Sequence, residues 1–181
     1  MKSRFIWINS LLIAGISFST LAEESSVAAI EQLENPWFVA VGFGITDVGG
    51  EINEEGLFTL GRDIGYRFNK NIGVKYGDYI GKDIAFGFLR SDRYSFKFKY
   101  LALTARTESD IHVFASLGYA RVKENLEIDT GTLTERSNEV FWEAGAGWDF
   151  SKHFGTTISY QQNSAELADL STLMFKIKMQ F

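Results

Sequence analysis

The stretch Ser171-Thr-Leu-Met-Phe-Lys-Ile-Lys-Met-Gln-Phe181 decides the fold. Leu173, Phe175, Ile177, Met179 and Phe181 share one face of an extended chain. Met174, Lys176, Lys178 and Gln180 share the other, because strand side chains alternate with period two. The chain ends on a bare aromatic. A water-soluble protein gains little from such a face, whereas a strand that closes a barrel in lipid requires one.

The same alternation runs back through the sequence. Trp37, Val39, Val41, Phe43 and Ile45 form one set, and Phe58, Leu60, Ile64, Tyr66 and Phe68 the next. Ile72, Val74 and Tyr76 follow. Tyr94, Phe96, Phe98 and Tyr100 then oppose Ser95, Lys97 and Lys99. Later sets begin at Ile111, Val140 and Phe154. Short turns at Lys70, Ser109 and Lys152 alternate with longer polar stretches at Val48–Gly56, Ile80–Arg93 and Glu124–Asn138, and a shorter one at Asn163–Asp169. This pattern predicts an all-β, eight-stranded antiparallel up-and-down transmembrane β-barrel, with both ends of the barrel chain on the short-turn side.

Composition agrees. Aromatics are 15% of the 181 residues, and cysteine is absent, so neither disulfides nor thiolate chemistry are available. No segment after the start offers the ~18 consecutive apolar residues of a membrane helix. Lys2 and Arg4 followed by the apolar Phe5–Ile16 predict a signal peptide over 1–22, cleaved after Ala22. Cleavage would move the net charge from −5 to −7, since two basic residues go and no acidic one does. That balance argues against nucleic-acid binding. Residues 23–35 read as a periplasmic lead-in and 36–181 as the barrel domain, placing the protein in the outer membrane.

A soluble barrel would show the same alternation with its apolar face inward. The second face decides, because it carries many glycines, among them Gly42, Gly44, Gly61, Gly65 and Gly77, interleaved with charges. Glycine leaves nothing to pack on a solvated face. Inside a narrow barrel it makes room for long charged side chains. Asp63, Lys75, Lys97, Lys99, Glu143, Lys176 and Lys178 are accordingly expected inside, with Asp149 at the rim. Lysines would outnumber carboxylates there, which leaves a plug of ion pairs and a narrow anion path as alternatives. Trp37, Tyr66, Phe68, Trp148, Phe150 and Phe154 are expected as a periplasmic aromatic girdle. Strict alternation puts Arg62 on the lipid face, unless a bulge turns it inward.

Pro36-Trp37-Phe38-Val39-Ala40-Val41-Gly42-Phe43-Gly44 resembles the first strand of OmpA-type outer-membrane β-barrel domains. The turn phrases Gly65-Tyr-Arg-Phe-Asn-Lys-Asn-Ile-Gly73 and Gly147-Trp-Asp-Phe-Ser-Lys-His-Phe-Gly155, with the aromatic terminus, are similar to that family too. The resemblance spans Pro36–Phe181. It implies contact with outer-membrane lipid and lipopolysaccharide, and delivery by the barrel-assembly machinery through the C-terminal strand, as a monomer without cofactors. The family's usual glycine five residues before the terminal aromatic is Lys176 here. The family's namesake continues into a peptidoglycan-binding domain, whereas this sequence stops at the barrel.

Catalysis finds little support. Barrel lipid A deacylases carry His-x-Ser, and the two histidines here read His112-Val-Phe and His153-Phe-Gly. A lipid A-modifying enzyme therefore stays a second alternative, behind a structural barrel and a narrow pore. No His or Cys spacing suits a transition metal. The acidic residues Asp47, Glu51, Glu54 and Glu55 and the apolar patch Ala85–Leu89 mark loops suited to surface contact.

Overall fold

The computed structural model describes residues 33–50, 54–82, 93–128, 131–164 and 168–181. They lie within one compact unit, Gln32–Phe181. The signal segment, most of the lead-in and the patch Ala85–Leu89 lie outside the described residues. Of the acidic first loop, only the Asp47 side chain is described, and it accepts a hydrogen bond from the Gly56 backbone N–H at 3.2 Å.

Eight strands form a closed antiparallel barrel in sequence order. They are β1 (Trp37–Gly50), β2 (Glu54–Arg67), β3 (Ile72–Lys82), β4 (Arg93–Arg106), β5 (Ile111–Ile128), β6 (Gly131–Trp148), β7 (Phe154–Ser164) and β8 (Ala168–Gln180). The C-terminal alternation closes the sheet. β8 pairs with β1 from Phe38↔Gln180 to Gly50↔Ala168. At the periplasmic end, Trp37 and Phe181 exchange backbone hydrogen bonds at 3.0 Å in each direction. Closure leaves no strand edge unpaired, which a sheet in lipid must achieve.

Residues 124–138, read from sequence as a polar loop, are mostly strand. β5 and β6 stay paired from Ile111↔Trp148 to Ile128↔Gly131, so this hairpin projects well beyond its neighbours. Its polar composition reflects solvation of both faces above the membrane rather than loss of structure.

Most outward positions are apolar: Val41 and Phe43 on β1, Leu60 and Ile64 on β2, Leu117 and Tyr119 on β5, Ile158 on β7, and Leu173, Phe175, Ile177 and Met179 on β8. A belt of this extent greatly exceeds what a soluble monomer exposes. The predicted girdle residues Trp37, Phe68, Trp148, Phe150 and Phe154 all point outward. Tyr66 packs edge-on between Trp37 at 4.9 Å and Phe68 at 5.6 Å.

One strand is turned over relative to expectation. On β4, Tyr94, Phe96, Phe98 and Tyr100 are buried inside, and Lys97 and Lys99 face outward. The interior glycines explain the inversion. A Cβ at Gly61 would strike the Tyr79 ring, one at Gly77 the Tyr100 ring, and one at Gly81 the Phe96 ring. Glycine here makes room chiefly for aromatic rings, which fill more of a narrow barrel than lysines would. Phe98 stacks on Tyr79 at 4.9 Å and Tyr100 stacks on Phe141 at 4.1 Å. Long cations do occupy glycine sites on the other side of the barrel, with Lys176 over Gly42 and Lys178 near Gly155.

Candidate functional site

The middle of the barrel is a charge network laid across the aromatic stack. β2 contributes Asp63, β3 Lys75 and Tyr79, β4 Tyr100, β6 Glu143, β7 Gln161 and β8 Lys176, each from an inward position of its strand. Lys176 Nζ donates to Asp63 Oδ2 at 2.9 Å and to Glu143 Oε1 at 2.8 Å. Lys75 donates to the other Glu143 oxygen. The Tyr79 and Tyr100 hydroxyls donate to Asp63 Oδ1 at 2.9 and 2.7 Å. Gln161 Nε2 reaches Glu143 Oε1 at 3.0 Å. All these side chains are buried. Two cations therefore meet two carboxylates with further donors on each, which is how buried charge is made tolerable.

The position where the family's closing signal carries glycine holds Lys176, the residue that joins both carboxylates. Asp63, Lys75, Glu143 and Lys176 are thus brought together. Lys97 and Lys99 are not, because β4 presents them to the outside. Tyr79, Tyr100 and Gln161 belong to the network and were missed. Tyr79 shares parity with Gly77 and Lys75, so continuing β3 past Tyr76 would have found it.

Lys178 belongs to a second cluster at the periplasmic end. It pairs with Asp149 Oδ1 at 2.6 Å, and Arg106 Nη1 pairs with Asp149 Oδ2 at 3.0 Å. Burial works to raise the Asp149 carboxyl, but Lys178 and Arg106 outweigh it and hold the group below its ordinary value. His112 Nδ1 stands 3.9 Å from the same carboxylate. A cavity of about 70 Å³ separates the two clusters, lined by Arg67, Lys75, Arg106, His112, Phe114 and Lys178 among others. Toward the outer side, Thr46 hydrogen-bonds Thr59 at 2.6 Å and Thr172 at 2.8 Å, and Tyr94 donates to Glu124 at 2.6 Å.

Arg62 stays on the outer face and donates to Asp78 Oδ2 at 3.1 Å, an outward residue of β3 directly opposite it. No bulge turns it inward, since the β1–β2 irregularity lies between Thr46 and Val48. His153 sits exposed in a turn, its Nδ1 3.2 Å from the Gln180 carbonyl oxygen. Among the described residues, neither histidine ring is hydrogen-bonded to a serine or threonine side chain.

The sequence matches the family described as the outer membrane protein beta-barrel domain over residues 10–181. The chain belongs to this family. Its place is the bacterial outer membrane, and the apolar belt is its lipid face. No curated protein matches the chain. Solved structures share the fold at low identity. Ail, the attachment invasion locus protein of Yersinia pestis, is 17% identical with a TM-score of 0.63, covering 82% of this chain and 99% of its own. Neisserial surface protein A is 10% identical with a TM-score of 0.69, covering 80% and 97%. The N-terminal β-barrel domain of Pseudomonas aeruginosa OprF, an OmpA-like barrel, is 11% identical with a TM-score of 0.63, covering 81% and 98%.

Proposed function

We propose that the protein is a non-enzymatic structural barrel, plugged by its own interior, that serves as a rigid platform for contacts above the outer membrane. The observation that carries this reading is the Asp63–Lys75–Glu143–Lys176 network, closed on its outer side by the Tyr79–Phe98–Tyr100–Phe141 stack. An eight-stranded barrel is only just wide enough for side chains to fill it. At the level of the network the two cations and two carboxylates balance and the aromatic rings fill the section, with the cavity of about 70 Å³ to the periplasmic side. The anion path loses its basis, since Lys97 and Lys99 lie outside and the remaining central charges balance.

The long β5–β6 hairpin is the element offered for surface contact, as a paired ribbon rather than a loose loop. Ail has been solved with the heparin analogue sucrose octasulfate, so a barrel of this architecture can engage a polyanion. Assembly through the β8 strand, a monomeric state and the role of residues 1–22 as a cleaved leader belong to the same proposal.

The test is single-channel recording in planar bilayers with the purified folded chain. The plug predicts a silent bilayer. Discrete, anion-selective openings would replace the platform with the pore.

A further inference from the structure

The periplasmic half of the lumen holds more positive charge than its own carboxylates answer. Arg67 of β2, Arg106 of β4, His112 of β5 and Lys178 of β8 turn inward below the central network. Among the described residues, Asp149 is the carboxylate paired there, with Lys178 at 2.6 Å and Arg106 at 3.0 Å. Arg67 pairs with none of the described carboxylates. Its Nη2 donates to the Asn35 carbonyl oxygen at 2.8 Å, and its Nε is buried with no hydrogen-bond partner among the described residues. The charges above offer no relief, since Lys75 and Lys176 are matched by Glu143 and Asp63. Those below are matched too, Lys70 with Glu108 and Lys152 with Glu34, each at 2.9 Å. Asp110 sits exposed on its turn, where water and salt screen it. Three cations, Arg67, Arg106 and Lys178, therefore face one carboxylate, Asp149.

Arg67, Arg106 and Lys178 border the cavity of about 70 Å³, and Lys75 and Lys176 form its inner end. At about 10–15 Å³ per water-sized group, such a cavity has room for roughly five, the number of heavy atoms in a tetrahedral oxyanion. Its mouth joins an open recess of about 550 Å³ on the periplasmic side, since Arg67 and Arg106 line both. Phe38, Val74 and Phe114 complete the walls, and apolar walls strengthen a charge–charge contact. A guanidinium suits such a ligand because its planar fork grips two oxygens of one anion. The network blocks the inner end, so an anion that enters leaves by the way it came.

We propose that this cavity binds a single small tetrahedral oxyanion from the periplasm, inorganic phosphate or sulfate, on Arg67, Arg106 and Lys178. Arg67 supplies the charge that no carboxylate of the described residues takes up. Asp149 repels the anion and so tempers its affinity. The site opens on the side of the membrane opposite the β5–β6 hairpin and goes beyond the platform reading without depending on it. A barrel that conducts would replace the platform and leave the cation surplus at the periplasmic mouth in place.

The test uses the full folded chain in detergent micelles, titrated calorimetrically with sodium phosphate and, at the same ionic strength, with sodium chloride. Wild type is predicted to show a single saturable phosphate site. Arg67→Gln should bind phosphate at least ~tenfold more weakly. Asp149→Asn, which removes the repelling carboxylate, should bind it more tightly. Lys97→Gln, which neutralises an outward cation of β4, should match wild type. Folding of each variant is verified by its unboiled gel mobility. Glycerol 3-phosphate, too large for the cavity, should bind at least ~tenfold more weakly than phosphate. A wild type with no saturable phosphate site, or with an equal response to chloride, would overturn the proposal whatever the variants do. A folded Arg67→Gln that keeps wild-type affinity, or a folded Asp149→Asn that binds no more tightly, would overturn it too. Equal affinity for glycerol 3-phosphate would move binding out to the open recess and overturn the assignment to the cavity.

Discussion

At the scale of single residues, Glu143 holds the interior together, since it accepts from Lys75, Lys176 and Gln161 in a site closed to water. Removing one partner of a buried ion pair costs about 3–5 kcal/mol, because the opposite charge stays behind. Glu143→Ala is predicted to lower stability by about that amount, read as the urea midpoint for unfolding from a lipid bilayer. An unchanged midpoint would remove Glu143 from the network. Asp149 gives a pH signature of different shape. Its carboxyl is held below its ordinary value in the folded protein, so its stabilising contribution is fully present above that ordinary value. It is lost as pH falls through the lower folded value. Wild type should therefore be more stable than Asp149→Asn at pH 7, with the gap closing as pH drops below about 4. Lys178, Arg106 and His112 are the ionisable groups that face this carboxylate. A gap that widens in acid would contradict the assignment.

At the scale of the strand, most of the alternation was legible because lipid-facing positions must be apolar whatever the partner strands contain. β4 was the exception. Tyr94, Phe96, Phe98 and Tyr100 made it look the most regular strand, yet which side they face depends on space created by Gly61, Gly77 and Gly81 on other strands. That is non-local information. A local signal did exist: Leu101 and Leu103 share parity with Lys97 and Lys99, so the lipid face of β4 runs through the lysines' side. The outward pair Arg62–Asp78 is the second strand-scale feature. At ~3.4 Å per residue and a tilt of about 40°, each residue climbs ~2.6 Å, so Arg62 lies ~13 Å above Arg67, near the middle of an apolar band ~25 Å tall. Asp78→Ala would leave Arg62 alone there, at a cost of roughly 2–4 kcal/mol. The double variant Arg62→Leu/Asp78→Leu is predicted to recover that loss in the same bilayer unfolding assay, since replacing an ion pair by apolar groups is often neutral or better. A double variant as unstable as Asp78→Ala would show that the pair matters for something other than charge compensation.

For the whole molecule, the barrel solves two packing problems at once. Outside, lipid covers the belt that ends in Phe175, Ile177, Met179 and Phe181. Inside, aromatic rings and a balanced set of charges occupy the space that glycines leave open. The network itself was partly readable: Asp63, Lys75, Glu143 and Lys176 follow from parity alone, while Tyr79, Tyr100 and Gln161 enter through ring size and reach across the lumen. The central claim is that the lumen is blocked at the Asp63–Lys75–Glu143–Lys176 network, above the periplasmic-side cavity. Because the chain contains no cysteine, a single Ser159→Cys substitution reports on it without interference, as Ser159 is a small, buried interior residue of β7. The decisive measurement is the rate at which a charged, water-soluble thiol reagent modifies that cysteine in the folded barrel, compared with Ser151→Cys in the exposed turn. A plugged barrel predicts rapid labelling at 151 and labelling at 159 only after heat unfolding. Comparable rates at both positions in the folded protein would mean a water-filled lumen, contradicting the account.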